Sequence, residues 1–192
     1  GTAGGVFNLA RWAARQDPAT TPSKRLALAV HITPDRAWSS VAAASMRADG
    51  RIHVELLEHK RGTSWVLGYL RERLAKRRYA GIVIASGMAA GALAAELERL
   101  PHFTPLNGTE VRRACASLLD LVEADGRLAV RPHPDLDVSI EATGKSSQSG
   151  EWVFSAKPGV DLSPSYAVAL AAHVARQKPA PRSDEELLES AH

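Results

Sequence analysis

His31 interrupts an otherwise apolar run, Leu26-Ala27-Leu28-Ala29-Val30-His31-Ile32, which stops at Thr33-Pro34-Asp35. A histidine so placed is either a buried imidazole satisfied by its neighbours or a ligand to a transition metal, and the run leaves both open. Asp161, ahead of Leu162-Ser163-Pro164, stands where a carboxylate caps a helix N-terminus. Asp35 follows a proline, where aspartate fixes a turn. Other carboxylates fall at Glu55, Asp135, Asp137 and Glu141. Candidate phosphate contacts are Lys60, Arg61, Arg131 and Lys145, together with Lys76-Arg77-Arg78 and Arg112-Arg113. Basic residues in the last turn of a helix also complement its dipole, which accounts for Lys76 to Arg78 without any ligand. The 7 histidines show no His-x-x-x-His spacing, and the single cysteine, Cys115, excludes an intramolecular disulfide and a cysteine-rich zinc site. Cys115 shares an apolar helical face with Leu118 and Leu119, so it reads as core. No serine or cysteine nucleophile is paired with a base.

The elements that must position these groups can be read from periodicity. The 192 residues, 45% hydrophobic and 23% charged, fit one globular domain and exclude disorder for most of the chain. No apolar run approaches the ~18 to 20 residues of a membrane span. The longest, from Gly81 to Ala95, is broken by Ser86 and by glycines. Gly1 to Gly5 lack the features of a signal peptide, so a cytoplasmic protein is expected. The net charge of +3 favours nucleic-acid binding only slightly. Residues 1–25 read as a linker with one short helix, 26–177 as the folded domain, and 178–192, rich in Pro and Glu, as a flexible tail. Strands are expected at 26–32, 38–46 and 51–58, with Asp49-Gly50 as a hairpin turn, giving an antiparallel meander. A helix capped by Thr63 is expected to Arg78, then a strand at 81–85, a small-residue helix at 89–100 and a strand at 103–106. A helix at 109–124, a strand at 128–131, a helix at 134–143, a strand at 151–156 and a last helix ending near Gln177 complete the reading.

Three antiparallel strands, a helix, a parallel strand, a helix and a further strand follow the order of the ribonuclease H-like fold. The expected class is therefore α/β, a mixed sheet of antiparallel meander plus parallel strands flanked by helices. Four stretches add a more specific likeness. Ala29-Val30-His31-Ile32-Thr33-Pro34-Asp35-Arg36-Ala37-Trp38-Ser39-Ser40 resembles the AVDVSPDRSWAS opening of the nuclease domain of large terminase subunits from tailed actinobacterial phages. His59-Lys60-Arg61-Gly62-Thr63-Ser64-Trp65-Val66 is similar to that family's HRPGTGWV. Ile82-Val83-Ile84-Ala85-Ser86-Gly87-Met88-Ala89-Ala90-Gly91-Ala92-Leu93 is similar to VVVDPGGPAGSL, and Val160-Asp161-Leu162-Ser163-Pro164 to VDISP. The four are collinear, and the likeness spans about residues 7 to 175. No Gly-x-x-x-x-Gly-Lys-Ser/Thr occurs in the sequence, so the packaging motor is not expected in it.

The resemblance implies an endonuclease that cuts DNA with two divalent cations, magnesium or manganese, held by carboxylates on strand one, at the end of strand four and at the start of the late helix. Here those positions read His31, Ala85 and Asp161, with Ser86 beside the lost carboxylate. The formal charge of the three positions falls from about −3 to about −1, so tight binding of two divalent ions is not expected. The resemblance leaves Asp161 and His31 as metal candidates, with Asp35 as a surrogate in the catalytic group. Lys60, Arg61 and Arg131 lie nearer the implied cleft, and Lys145 falls in the basic segment before the Trp152 strand. The implied partners are double-stranded DNA and the terminase ATPase domain, small terminase or portal, with no membrane, in the host cytoplasm. Two functions stay open: a nuclease with altered metal use, or a non-catalytic DNA-binding or docking domain, a prophage remnant included.

Overall fold

The computed structural model of the chain describes residues 5–148 and 150–177. Strands β1 (Ala27–Ile32), β2 (Trp38–Met46) and β3 (Ile52–Arg61) form an antiparallel meander. β4 (Gly81–Ala85) adds parallel to β1, and β5 (Phe103–Leu106) parallel to β4. β6 (Leu128–Val130) joins parallel to β3, so the six-stranded sheet runs β5-β4-β1-β2-β3-β6. This is the ribonuclease H-like arrangement of meander and parallel strands that the sequence order implies.

Period-2 alternation divides the core between the two faces of the sheet. Ala27, Ala29, Ala42 and Ala44 face one side, with Leu28, Val30, Val41 and Ala43 on the other. The first face is covered by α6 (Ser163–Gln177), α4 (Gly108–Glu123), α5 (Pro134–Ala142) and α1 (Leu9–Ala14). The second carries α2 (Val66–Lys76) and α3 (Leu93–Leu97). α6 is buried over nearly its whole length, and its alanines and serines let its backbone lie close to the alanines of β1 and β2. Phe7 and Trp12 are both buried in the α6-side core, so the segment ahead of β1 is packed into the domain.

Several expected boundaries move. β3 continues to Arg61 instead of ending at Glu58, which puts His59, Lys60 and Arg61 on the strand. Its pairing with β2 carries a bulge: Ala42 faces Leu56, yet Val41 faces Glu58, so Leu57 is the extra residue. The bulge changes the parity of β3, and His59 comes to share the α6 face with Ile52, Val54 and Leu56. His53 and Glu55 are themselves buried on the opposite face, so β3 is not apolar on one side and solvated on the other. Thr63 does not cap α2, which starts at Val66 with no side-chain cap, because residues 61–65 turn away from the strand first. The helix expected at 89–100 is a 3₁₀ turn, Met88–Ala90, followed by the short α3, with Gly91 at φ +50° between them. The strand expected at 151–156 pairs as β8 (Glu151–Ser155) with β7 (Gly144–Gln148) in a separate hairpin. β7 has no apolar alternation to reveal it. The tail expected at 178–192 lies outside the described residues. Among the described residues, no helix is long and apolar enough to cross a membrane.

Candidate active-site cavity

The C-terminal ends of β1 and β3 and the N-terminus of α6 meet at one edge of the sheet. A cavity of about 360 Å³ opens there, lined by His31, Asp35, Trp38, Asp161 and Tyr166 among others. Three residues far apart in sequence, His31, Asp35 and Asp161, are thus brought to one place.

Asp35 and Asp161 are already committed to hydrogen bonds, and His31 to a ring stack. His31 stands on the α6 face of β1, and its ring lies flat on Tyr166, centroids 4.3 Å apart and planes 6° apart. Its Nδ1 is buried with no hydrogen-bond partner. Burial pushes the imidazole pKa down to about 4 against the opposing pull of the Asp161 charge, so the ring is neutral at neutral pH. Asp35 accepts hydrogen bonds from Thr33 Oγ1 (2.7 Å) and the Ala37 backbone N–H (3.0 Å), which together hold its pKa below the ordinary carboxylate value. That is the geometry of a residue fixing a turn, and the next residue, Arg36, has φ +60°.

Asp161 accepts from the Ser163 backbone N–H (2.8 Å), capping α6. Its other oxygen accepts from His59 Nε2 at 2.5 Å. The His59 Nδ1–H donates to Asp135 in α5 at 2.9 Å, so one imidazole bridges the starts of two helices. Burial opposes the charge on His59, but the two carboxylates outweigh it and hold its pKa above the ordinary value. For Asp161 burial likewise works against the charge, and the hydrogen bonds from His59 and Ser163 overcome it, leaving the pKa below the ordinary value. Trp38 stacks on the His59 ring at 4.8 Å between centroids, and the Arg61 guanidinium lies over Trp38 at 4.7 Å.

These donors do not fit the two-cation site that the resemblance implies. Ala85 packs partly buried against the core at the end of β4, Ser86 is exposed, and neither lines the cavity. Among the described residues, no three His, Cys, Asp or Glu side chains form a group able to hold a metal ion. The carboxylate that opens α6 is instead paired with the His59 imidazole and the Ser163 backbone N–H.

Of Lys60, Arg61, Arg131 and Lys145, three are exposed near this edge. Lys60 lies 3.6 Å from Glu58 and over the Trp65 ring, and Arg61 covers Trp38. Lys145 on β7 lies over Trp152 and, with Lys157, lines a second cavity of about 670 Å³. Arg131 belongs elsewhere. Its guanidinium is tied to Glu55 (2.7 Å) and to the Thr20 carbonyl (2.8 Å), in a network completed by His53 between Thr20 and Glu55. Those contacts hold Arg131 in its own fold, away from the cavity, while its side chain stays partly exposed. His59 and Lys157 are the site residues that sequence reasoning missed. His59 begins one of the four family-like stretches, but its two carboxylate partners come from distant elements.

No protein-family model matches the chain, and no curated protein matches it. Solved structures do. The large terminase nuclease of thermophilic phage G20c superposes with a TM-score of 0.68 at 17% identity, over 88% of this chain and 97% of that one. The same nuclease has been solved with bound magnesium and with bound cobalt. The HK97 bacteriophage large terminase gives a TM-score of 0.69 at 11% identity, over 88% of this chain and 43% of that one. The nuclease domain of the large terminase subunit gp2 of bacterial virus Sf6 gives 0.60 at 11% identity, over 88% and 98%. The chain therefore has the ribonuclease H-like fold of the large terminase nuclease.

Proposed function

We propose that the chain is the nuclease-like domain of a phage terminase large subunit, contacting double-stranded DNA during packaging and cutting it weakly or not at all. The shared fold supports the packaging setting, together with the four collinear stretches. Loss of catalysis is supported chiefly by the state of Asp161, whose carboxylate is paired with the His59 imidazole where the fold family calls for further carboxylates. A nuclease working through two hard divalent cations needs several anionic oxygens to neutralise and orient them. A neutral imidazole at position 31 is a poor magnesium ligand, and a methyl group at position 85 is none. Lys145 and Lys157 line the cavities, Arg61 lies over the cavity residue Trp38, and with Lys60 on the same strand end they are the proposed phosphate contacts. The ATPase domain, the small terminase and the portal are the partners this role would bring, in the host cytoplasm.

Plasmid cleavage tests the reading. The native chain is compared with His31→Asp/Ala85→Asp in magnesium, then manganese, then zinc. Silence from the native chain with cutting by the double variant is the expected result. Cutting by the native chain would overturn the inactive reading and point to substitute ligands around Asp161. A duplex affinity that does not fall with salt would remove DNA contact from the account.

A further inference from the structure

The edge of the sheet away from the cavity carries an arrangement that the nuclease-like site does not use. Five neighbouring strands, β4, β1, β2, β3 and β6, each present a basic residue there. Arg77 and Arg78 precede β4, Lys24 and Arg25 precede β1, Arg47 follows β2, Arg51 precedes β3 and Arg127 precedes β6. The backbone ties these ends together. The Ala80 N–H donates to Leu26 O (2.9 Å) and the Ile52 N–H to Arg127 O (2.9 Å). The register places this row at Ala27 and Gly81, whereas His31 is at the other end of β1.

The acids at this edge are already taken. Arg47 holds Asp17 (3.3 Å) and Asp49 (2.7 Å), and Arg15 holds Asp125 (2.6 Å). Lys24, Arg25, Arg51, Arg78 and Arg127 are exposed and have no acidic partner among the described residues. At a strand spacing of ~4.8 Å, five strands span about 19 Å. The unpaired cations thus stand at the ends of β4, β1, β3 and β6, on either side of the acid-bound Arg47, and four of the five are arginine, whose planar forks suit phosphate oxygens.

We infer that this edge is a second surface for the phosphate backbone of duplex DNA, separate from the rim of the cavity. Duplex DNA, with one negative charge per ~1.7 Å of axis, offers several phosphates at once to a cluster of exposed cations about 19 Å across. The choice of DNA rests on the packaging role proposed above.

The test measures anisotropy of a short labelled duplex against salt, for the native chain and two variants. Arg25→Gln/Arg51→Gln/Arg78→Gln/Arg127→Gln removes the row; Lys60→Gln/Arg61→Gln/Lys145→Gln removes the cavity rim. The row variant is expected to lower the slope of log affinity against log salt by about 3 to 4, at ~0.9 per phosphate contact. Its unfolding temperature should stay native, since all four side chains are exposed. An unchanged slope in the row variant overturns the inference while leaving the packaging reading in place. Absence of duplex binding by the native chain at low salt overturns both. Displacement of the duplex by poly-glutamate as effective, charge for charge, as by unlabelled duplex reassigns the edge to an acidic protein.

Discussion

Each nitrogen of His59 faces a carboxylate, Asp135 on one side and Asp161 on the other, and together they hold its pKa above the ordinary value against the opposing effect of burial. Replacing Asp161 by Asn removes one of the two charges, and the His59 pKa is expected to fall toward 6.5, as read from imidazole shifts in an NMR titration. An unmoved titration would mean that Asp135 alone holds the proton. The raised His59 pKa stabilises the fold fully below about pH 6.5, and that gain is lost as pH rises through the folded value. The lowered Asp161 pKa stabilises it above about pH 4, with the gain lost as pH falls through the folded value. The bridge is therefore complete between these limits. His31 runs the other way. Its folded pKa of about 4 means that the unfolded chain takes up a proton which the native state refuses, so stability falls between pH 6.5 and 4. His31→Phe keeps an aromatic ring on Tyr166 and removes that loss. It should gain on the order of 2 kcal/mol over the native chain at pH 4 relative to pH 7, measured by urea unfolding. Parallel pH profiles for the two proteins would show that the ring is solvated.

At the level of elements, the bulge at Leu57 and the small residues of α6 decide which side chains reach the cavity. Strands β1 to β4 were legible because apolar runs and the Asp49-Gly50 turn mark them directly. Asp35, His31 and Asp161 were legible as candidates because collinear stretches flagged their positions, and the fold does gather them. Their partners were not legible. Nothing local distinguishes His59 from Lys60 as the residue that faces α6, because a single bulge reverses the parity. Arg131 looked like a free cation because Glu55 and Thr20 approach it only through tertiary pairing. β7 was invisible because a Gly-Lys-Ser-Ser strand has no apolar face. α6 offers a direct check on close approach. Ala169 on α6 is fully buried in the core on that side of the sheet. Ala169→Leu adds methylene groups where no space exists and should cost about 1 to 3 kcal/mol in urea unfolding. A neutral result would show that α6 can slide away from the sheet, and with it Asp161 from His59.

Taken as a whole molecule, the sheet has basic residues at one end and carboxylates with imidazoles at the other, while the fold matches nucleases solved with divalent ions. The spacing of the three family positions comes from strand register and from the α6 N-terminus, and neither depends on whether the side chains there are acidic. The fold should therefore accept a metal once the carboxylates return. In the native chain His59 already occupies an oxygen of Asp161 and positions 31 and 85 carry no carboxylate, so millimolar magnesium or manganese is expected to move the unfolding temperature by less than about 1 °C, since a ligand stabilises only by binding the native state. In His31→Asp/Ala85→Asp the three carboxylates outnumber the single imidazolium, and like charges repel when no cation lies among them. That variant should unfold below the native temperature in chelator and recover with manganese. At a concentration 100-fold above the dissociation constant, binding contributes about 2.7 kcal/mol, or about 5 to 10 °C for a domain of this size. A variant that is destabilised but indifferent to manganese would show that His59 holds Asp161 too tightly to be displaced. Adding His59→Gln should then restore the metal response, because it frees the carboxylate without adding charge.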